Sequence, residues 1–130
     1  VAVEDPNDTS SYVGMLSVGE TAIITSGSYQ RYFIGSDGMK YHHIIDPSTG
    51  RPADNDLVSV TIVCEDGTLA DALSTAMFVL GENAALKYWR ENGGFEMIMI
   101  NKDNEIMCTT GLIEVFTLTN RTDYTLKMVE

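Results

Sequence analysis

The chain has 130 residues, and its 19 acidic side chains against 8 basic ones give a formal net charge of −11. With 44% hydrophobic and 21% charged residues it has the composition of a globular protein, and its length suits one domain spanning residues 1–130. The excess of acidic residues argues against a protein that binds a nucleic-acid backbone or the surface of an anionic membrane, since both kinds of binding need clustered Lys and Arg. No apolar run approaches the roughly 20 residues of a membrane-spanning helix.

The first half of the chain is predicted to form strands separated by turns. Residues 4–11 are polar and rich in turn formers, so we expect a loop there. Residues 46–50 (DPSTG) predict a turn, because Asp accepts a local backbone hydrogen bond, Pro fixes φ and Gly tolerates positive φ. Strands are expected, in chain order, at residues 21–26, 32–34, 39–45 and 57–64, the last of them buried.

The second half begins with the best-defined helix. It is predicted to have Thr68 as its N-cap and to stop before Gly81. One apolar stripe recurs at helical spacing in Leu69, Leu73, Ala76, Met77 and Leu80. A second helix is expected at about residues 83–91, followed by strands at residues 95–100, 106–109, 113–118 and 124–129. This order predicts an α+β fold, a mostly antiparallel sheet with a central helical pair.

The two cysteines give at most one disulfide. Cys64 and Cys108 each lie in a strand-like run, which favours buried free thiols packed as small hydrophobic groups. A disulfide is the alternative, and it requires an oxidising compartment and close Cα atoms.

A histidine pair precedes the predicted turn. If residues 41–45 form a strand, Tyr41, His43 and Ile45 share one face and His42 points to the other, which disfavours a metal site shared by the two histidines. A neutral His43 could act as a general base, because the reference pKa of histidine lies near physiological pH. The alternative is a structural His43 whose ring nitrogens bond to neighbouring groups.

The predicted first helix carries a carboxylate and a hydroxyl four residues apart. Asp71 and Thr75 therefore lie on the same side of that helix. Their oxygens are hard ligands of the kind that Mg²⁺ accepts, usually completed by water and substrate phosphates. The alternative is a capping box, in which Thr68 and Asp71 only close the start of the helix.

A third segment of interest is residues 26–33 (SGSYQRYF). Gly27 between two serines could bring backbone amides near an anion, and Arg31 could pair or stack with it. Aromatic side chains packed on a sheet explain the segment equally well.

Three ordered segments, residues 26–33 (SGSYQRYF), 43–52 (HIIDPSTGRP) and 70–76 (ADALSTA), together resemble the ApbE family of FAD:protein FMN transferases. The strand at residues 57–63 (LVSVTIV) also resembles the strand that precedes the Asp-bearing helix in that family. The similarity runs from about Val1 to Gly111 and implies the C-terminal portion of an ApbE-like fold. Family members are considerably longer, so the chain is expected to be a fragment.

The resemblance implies an enzyme that splits FAD with Mg²⁺ and moves FMN to a Ser or Thr hydroxyl of an acceptor protein, releasing AMP. It implies that Asp71 and Thr75 are metal ligands, that Ile45 contacts the flavin, and that His43 is a base or positions the acceptor. Because the chain is acidic and a pyrophosphate is anionic, a bridging cation would hold them together. Anchoring outside the cytoplasm as a lipoprotein is also implied.

Two departures from the family leave an alternative open. Ser28 and Gln30 stand where the family often has acidic residues, and the family's N-terminal half is absent. The alternative is a non-catalytic module that binds a flavin or a cation, or serves as an interaction domain. We also expect apolar surface left by the absent half to cause self-association.

Overall fold

The computed structural model describes residues 1–29, 32–34, 36–38, 40–42, 44–53, 55–119 and 123–130. Within these ranges the chain forms two α-helices, α1 (Gly67–Leu80) and α2 (Glu82–Asn92). The strands are, in chain order, β1 (Ala2–Asp5), β2 (Asp8–Leu16), β3 (Ala22–Gly27), β4 (Tyr32–Ile34), β5 (Lys40–His42), β6 (Ile45–Asp46), β7 (Arg51–Pro52), β8 (Leu57–Cys64), β9 (Glu96–Asn101), β10 (Glu105–Thr109), β11 (Phe116–Leu118) and β12 (Thr125–Val129).

A five-stranded sheet of order β12-β10-β9-β8-β3 forms the middle layer. Its strands pair antiparallel except for β10 and β12, which are parallel. The two helices cover one face, and a smaller sheet of order β1-β2-β11 covers the other. The strands β4 and β5, and likewise β6 and β7, form short antiparallel pairs. The predicted α+β fold, with a mostly antiparallel sheet and a helical pair, is confirmed.

The middle sheet is buried on both faces because its side chains alternate between two cores. The side chains that face the helices include Val60, Ile62, Met97 and Met99. Those that face the smaller sheet include Val63, Ile98, Ile100 and Ile106. This double burial explains why the apolar run of β8 was predicted correctly over its full length.

The two cysteines lie on opposite faces of the middle sheet. Cys64 belongs to the core under the helices, whereas Cys108 belongs to the core under the smaller sheet. Both thiols are free and buried, which confirms the favoured prediction. Burial, together with the nearby charge of Glu96, raises the pKa of the Cys108 thiol to about 11.

The N-cap of the first helix lies two residues before the predicted cap, Thr68. Asp66, with an extended backbone, is the N-cap, and its carboxylate accepts hydrogen bonds from the backbone N–H groups of Thr68 (2.9 Å) and Leu69 (3.2 Å). The prediction of Thr68 as the cap is wrong because Asp66 already satisfies these exposed donors. At the other end Gly81, with φ of 84°, donates to the carbonyl of Met77, which confirms the predicted stop.

The buried face of α1 differs from the predicted stripe. Leu69 and Leu80 are nearly half exposed, at 47% and 48%. The face that packs against β3 and β8 consists instead of Ala70, Leu73, Ser74, Met77 and Phe78. The buried face of α1 is therefore rotated about the helix axis relative to the predicted apolar stripe, because the contacts with the sheet determine which side chains are covered.

The predicted N-terminal loop is wrong. Residues 4–11 lie largely in an antiparallel hairpin, in which β1 and β2 pair around a turn at Pro6 and Asn7. Most polar side chains at the start of β2 are exposed, because the smaller sheet has one face in solvent. A polar sequence can therefore form such a strand.

The remaining predictions agree with the structure to within one or two residues, with two exceptions. The single strand predicted at residues 39–45 is wrong, because this segment is divided between β5, which pairs with β4, and β6, which pairs with β7. Residues 113–118 contain a strand only at Phe116–Leu118, after a 3-10 turn at Thr110–Leu112. In the described ranges neither helix is long and apolar enough to cross a membrane.

Candidate functional site

The candidate site lies where the end of β3 meets the middle of α1. The Ser26 hydroxyl is 2.8 Å from the Ser74 hydroxyl and 3.3 Å from the Thr75 hydroxyl. Ser74 in turn donates a 3.0 Å hydrogen bond to the backbone carbonyl of Asp71. A strand and a helix far apart in the sequence are thus joined by hydroxyl groups, one of which belongs to the predicted metal ligand Thr75.

Asp71 and Thr75 are exposed and lie one helical turn apart on α1. The capping-box alternative for Asp71 is wrong, since Asp66 caps this helix. In the described part of the chain no group of three or more His, Cys, Asp or Glu side chains could hold a metal ion. One carboxylate and one hydroxyl fit a cation such as Mg²⁺, which keeps several waters and takes its other ligands from phosphates.

The glycine between two serines is packed against an aromatic ring. A Cβ at Gly27 would lie only 2.3 Å from Cε1 of Tyr29, so a larger residue here would require the Tyr29 ring to move. The backbone N–H of Ser28 donates to the carbonyl of Val58 at 3.1 Å and is therefore engaged within the chain. The segment resembles the packed-aromatic alternative more than an anion-binding loop, although Gln30 and Arg31 lie outside the described residues.

The predicted flavin contact, Ile45, lies in a short hairpin. It belongs to β6, pairs with Pro52 and is 48% exposed, whereas the preceding Ile44 is buried. The carbonyl of Ile44 accepts a 2.8 Å hydrogen bond from the N–H of Ala53, which closes the base of the hairpin. Ile45 is thus an exposed apolar side chain on an anchored turn, and the predicted base, His43, lies outside the described residues.

The turn that follows Ile45 is held by Asp46. Its carboxylate accepts hydrogen bonds from the hydroxyl (2.7 Å) and the backbone N–H (2.9 Å) of Ser48, and these bonds lower the pKa of Asp46. Gly50 closes the turn with φ of 67°. The predicted turn at residues 46–50 is confirmed, and it fixes the hairpin that carries Ile45.

Two clefts lie elsewhere on the described surface. One of about 440 Å³ lies beside the start of α1, and its lining includes Thr21, Asp66, Leu69, Phe95 and Glu96. The other, of about 260 Å³, lies between the N-terminal strand and β3. Asp71 and Thr75 line neither of these two clefts.

Sequence reasoning missed the contact between Ser26 and Ser74. The sequence places Ser26 at the end of a predicted strand and in a candidate anion-binding loop, and it predicts no individual role for Ser74. The available signal was Ser74 itself, a polar residue beside Leu73 on the face of α1 that packs against the sheet. A buried hydroxyl in such a face needs a partner, and Ser26 supplies it.

The fold and the site define an α+β domain that carries an exposed carboxylate and an exposed hydroxyl one turn apart on one helix, together with an exposed isoleucine on a short hairpin. The chain belongs to the ApbE family, whose family model matches residues 1–99.

Relatives of this chain are named FAD:protein FMN transferase. The chain is 40% identical over 115 residues to a FAD:protein FMN transferase of Treponema pallidum, covering 88% of this chain and 32% of that protein. It is 38% identical to the Escherichia coli protein of the same name, covering 81% of this chain and 30% of that protein. The chain therefore spans about a third of the length of the relatives it matches.

Solved structures give the same result for the fold. The ApbE protein of Thermotoga maritima superposes with a TM-score of 0.74 at 39% identity, covering 88% of this chain and 37% of that chain. The flavin transferase ApbE of Vibrio cholerae superposes with a TM-score of 0.65 at 32% identity, covering 95% of this chain and 36% of that one.

Proposed function

We propose that this chain forms the metal-binding part of an enzyme that transfers FMN from FAD to a Ser or Thr hydroxyl of an acceptor protein. The observation that carries the proposal is the exposed pair Asp71 and Thr75 on α1, in a chain whose relatives are named FAD:protein FMN transferase. In the reaction the acceptor oxygen forms a bond to the phosphorus on the FMN side of the pyrophosphate. The bond from that phosphorus to the bridging oxygen breaks, AMP leaves, and the hydroxyl proton passes to a base.

Asp71 and Thr75 would hold Mg²⁺ through one carboxylate and one hydroxyl oxygen. A bound Mg²⁺ supplies neutralisation of the pyrophosphate charge and polarisation of the phosphoryl group under attack. This contribution matters in a chain of net charge −11, which otherwise repels the substrate.

Ile45 would contact the flavin ring, since a half-exposed apolar side chain on an anchored hairpin offers an apolar surface without a large ordering cost. His43, two residues earlier in the chain, would accept the proton of the acceptor hydroxyl or position that hydroxyl.

The outer face of α1 would also support self-association. Leu69 and Leu80 lie exposed on this helix, together with exposed Ala76. Apolar side chains on a helix face that the chain itself leaves open favour contact with a second protein surface.

The proposal is tested with the complete gene product that contains these residues, incubated with FAD, Mg²⁺ and an acceptor domain that carries a verified flavinylation site. Intact-mass spectrometry of the acceptor measures the transfer. We expect a gain equal to one FMN, abolished by Asp71→Asn and strongly reduced by Thr75→Val. Asp103→Asn, which alters an exposed carboxylate in the turn between β9 and β10, serves as the matched control and retains activity.

Activity retained in Asp71→Asn would contradict the metal assignment. A wild-type protein that binds FAD and Mg²⁺ in calorimetry but gives no mass gain would instead favour the non-catalytic binding module.

A further inference from the structure

Three hydroxyl groups form a hydrogen-bonded series that ends at Thr75. Ser74 lies in the middle of α1 and is fully buried, and Ser26 at the end of β3 is 8% exposed. Their hydroxyl oxygens are 2.8 Å apart, and the oxygen of Ser26 is also 3.3 Å from that of Thr75. The hydrogen-bonded series of hydroxyl groups therefore runs from Ser74 in the core through Ser26 to Thr75 at the surface.

The direction of each hydrogen bond in this series follows from the number of protons that each hydroxyl group can donate. A hydroxyl has one proton to donate and two lone pairs that accept. Ser74 donates its proton to the backbone carbonyl of Asp71, so in its contact with Ser26 it is the acceptor. Ser26 then donates to Ser74, and its own proton is used. In the remaining contact Thr75 is the donor to Ser26.

This direction decides what Thr75 presents to the surface. Its proton points inward to Ser26, which leaves its lone pairs for the exposed side of α1. A cation binds a lone pair and is repelled by the hydroxyl proton. A hydroxyl with this orientation is therefore prepared as a ligand, and burial of Ser26 and Ser74 limits the exchange of their partners for water.

We infer that Ser26 and Ser74 are positioning residues, which orient the hydroxyl of Thr75 so that it accepts a divalent cation. This inference rests on the proposed function, because it concerns the same cation. The 3.3 Å contact is longer than the usual 2.5–3.0 Å for O–H···O bonds. The orienting effect is correspondingly modest, and it acts on cation affinity rather than on the reacting groups.

The test measures cation affinity directly. Mn²⁺ serves as the probe in place of Mg²⁺, and its binding to the complete gene product is followed by electron paramagnetic resonance. We expect Ser26→Ala to raise the Kd for Mn²⁺ about three- to tenfold, as for the loss of one orienting contact behind a ligand. The Mg²⁺ concentration that half-saturates FMN transfer should rise by the same factor, while the rate at saturating Mg²⁺ stays close to wild type.

Ser74→Ala is a second test variant, and it should disturb the orientation of the Thr75 hydroxyl in a different way. Without Ser74 as its acceptor, Ser26 can turn its proton toward Thr75, which reverses the bond. We therefore expect Ser74→Ala to weaken Mn²⁺ binding at least as much as Ser26→Ala does.

The matched control is Thr25→Val on the same strand. The Thr25 hydroxyl is 2.8 Å from that of Thr61, in a pair on the opposite face of the middle sheet. This substitution removes a hydroxyl pair of the same kind, so it should lower the Tm by a similar amount and leave the Kd for Mn²⁺ unchanged.

The inference is overturned if Ser26→Ala and Thr25→Val change the Kd equally. It is also overturned if Ser26→Ala binds Mn²⁺ as wild type does while Asp71→Asn binds it more weakly. The proposed metal site would then stand, but Ser26 and Ser74 would not orient Thr75. If Asp71→Asn and Thr75→Val both bind Mn²⁺ as wild type does, the proposed metal site itself fails.

Discussion

The phenol of Tyr124 donates a 2.5 Å hydrogen bond to the carboxyl group of Asp5, which is completely buried. The backbone N–H of Asn7 also donates to Asp5 (2.9 Å), and the Asn7 side-chain amide donates to the Tyr124 oxygen (2.9 Å). This buried network fastens the N-terminal hairpin to the segment that leads into β12. It therefore joins the smaller sheet to the middle sheet through polar contacts as well as apolar packing.

Tyr124→Phe should lower the free energy of unfolding by about 1–3 kcal/mol, because it removes the phenol donor from the buried Asp5 carboxyl group. The measurement is urea unfolding followed by circular dichroism. Tyr12→Phe is the control, since Tyr12 is 45% exposed, and it should change the stability by less than about 0.5 kcal/mol. Equal stability of wild type and Tyr124→Phe would show that the network contributes nothing.

The cap of the first helix gives a second prediction. Asp66→Ala removes the carboxylate that accepts from Thr68 and Leu69, and should cost about 0.5–2 kcal/mol of stability. Thr68→Ala, at the position that sequence reasoning chose as the cap, should cost clearly less. Thermal unfolding of both variants compares them, and a larger loss in Thr68→Ala would contradict the assignment of Asp66.

The start and the end of α1 show why the sequence predicts some features better than others. The strand β8 and the end of α1 at Gly81 depend on local features, a buried apolar run and a glycine with positive φ. The cap is less local, because both Asp66 and Thr68 are residue types that cap helices, and the extended backbone of Asp66 identifies it as the cap.

Long-range relationships were beyond the sequence for a physical reason. The hairpin of β1 and β2 is polar because one face of its sheet lies in solvent, so its composition resembles that of a loop. The covered face of α1, and the contact of Ser26 with Ser74 across 48 positions, depend on how the helix docks on the sheet. For the candidate site, the resemblance of the motifs predicts Asp71 and Thr75 as ligands, while the contacts of Ser26 and Ser74 are visible only in the fold.

The cysteines give a third prediction, on reactivity. Both thiols are buried, they lie on opposite faces of one sheet, and the pKa of Cys108 is raised to about 11. The native protein should therefore react slowly with iodoacetamide at pH 7, since the thiolate is the reactive form. After denaturation both thiols should be alkylated, as measured by intact mass. A native mass lower by two hydrogens, restored by a reducing agent, would reveal a disulfide and contradict the arrangement.

The last prediction concerns pH and the ion pair between Lys127 and Glu105, on the parallel strands β12 and β10. Lys127, with help from Asn101, lowers the pKa of Glu105 below its ordinary value of 4.5, and Glu105 raises the pKa of Lys127 above 10.5. The stabilisation by Glu105 is therefore present above pH 4.5 and is lost as the pH falls through its lowered pKa. The stabilisation by Lys127 is present below pH 10.5 and is lost as the pH rises through its raised pKa.

Glu105→Gln should accordingly have a lower Tm than wild type at pH 7, and the difference should vanish in acid, below the lowered pKa of Glu105. Added salt should also reduce the difference, because Lys127 is half exposed. The control is Glu91→Gln, since Glu91 and Lys87 are 3.9 Å apart and both largely exposed, which predicts almost no effect at any pH. Thermal unfolding from pH 7 to acid measures both variants. A Tm difference for Glu105→Gln that persists unchanged in acid would show that the lost contact is not the ion pair, because a protonated Glu105 no longer attracts Lys127.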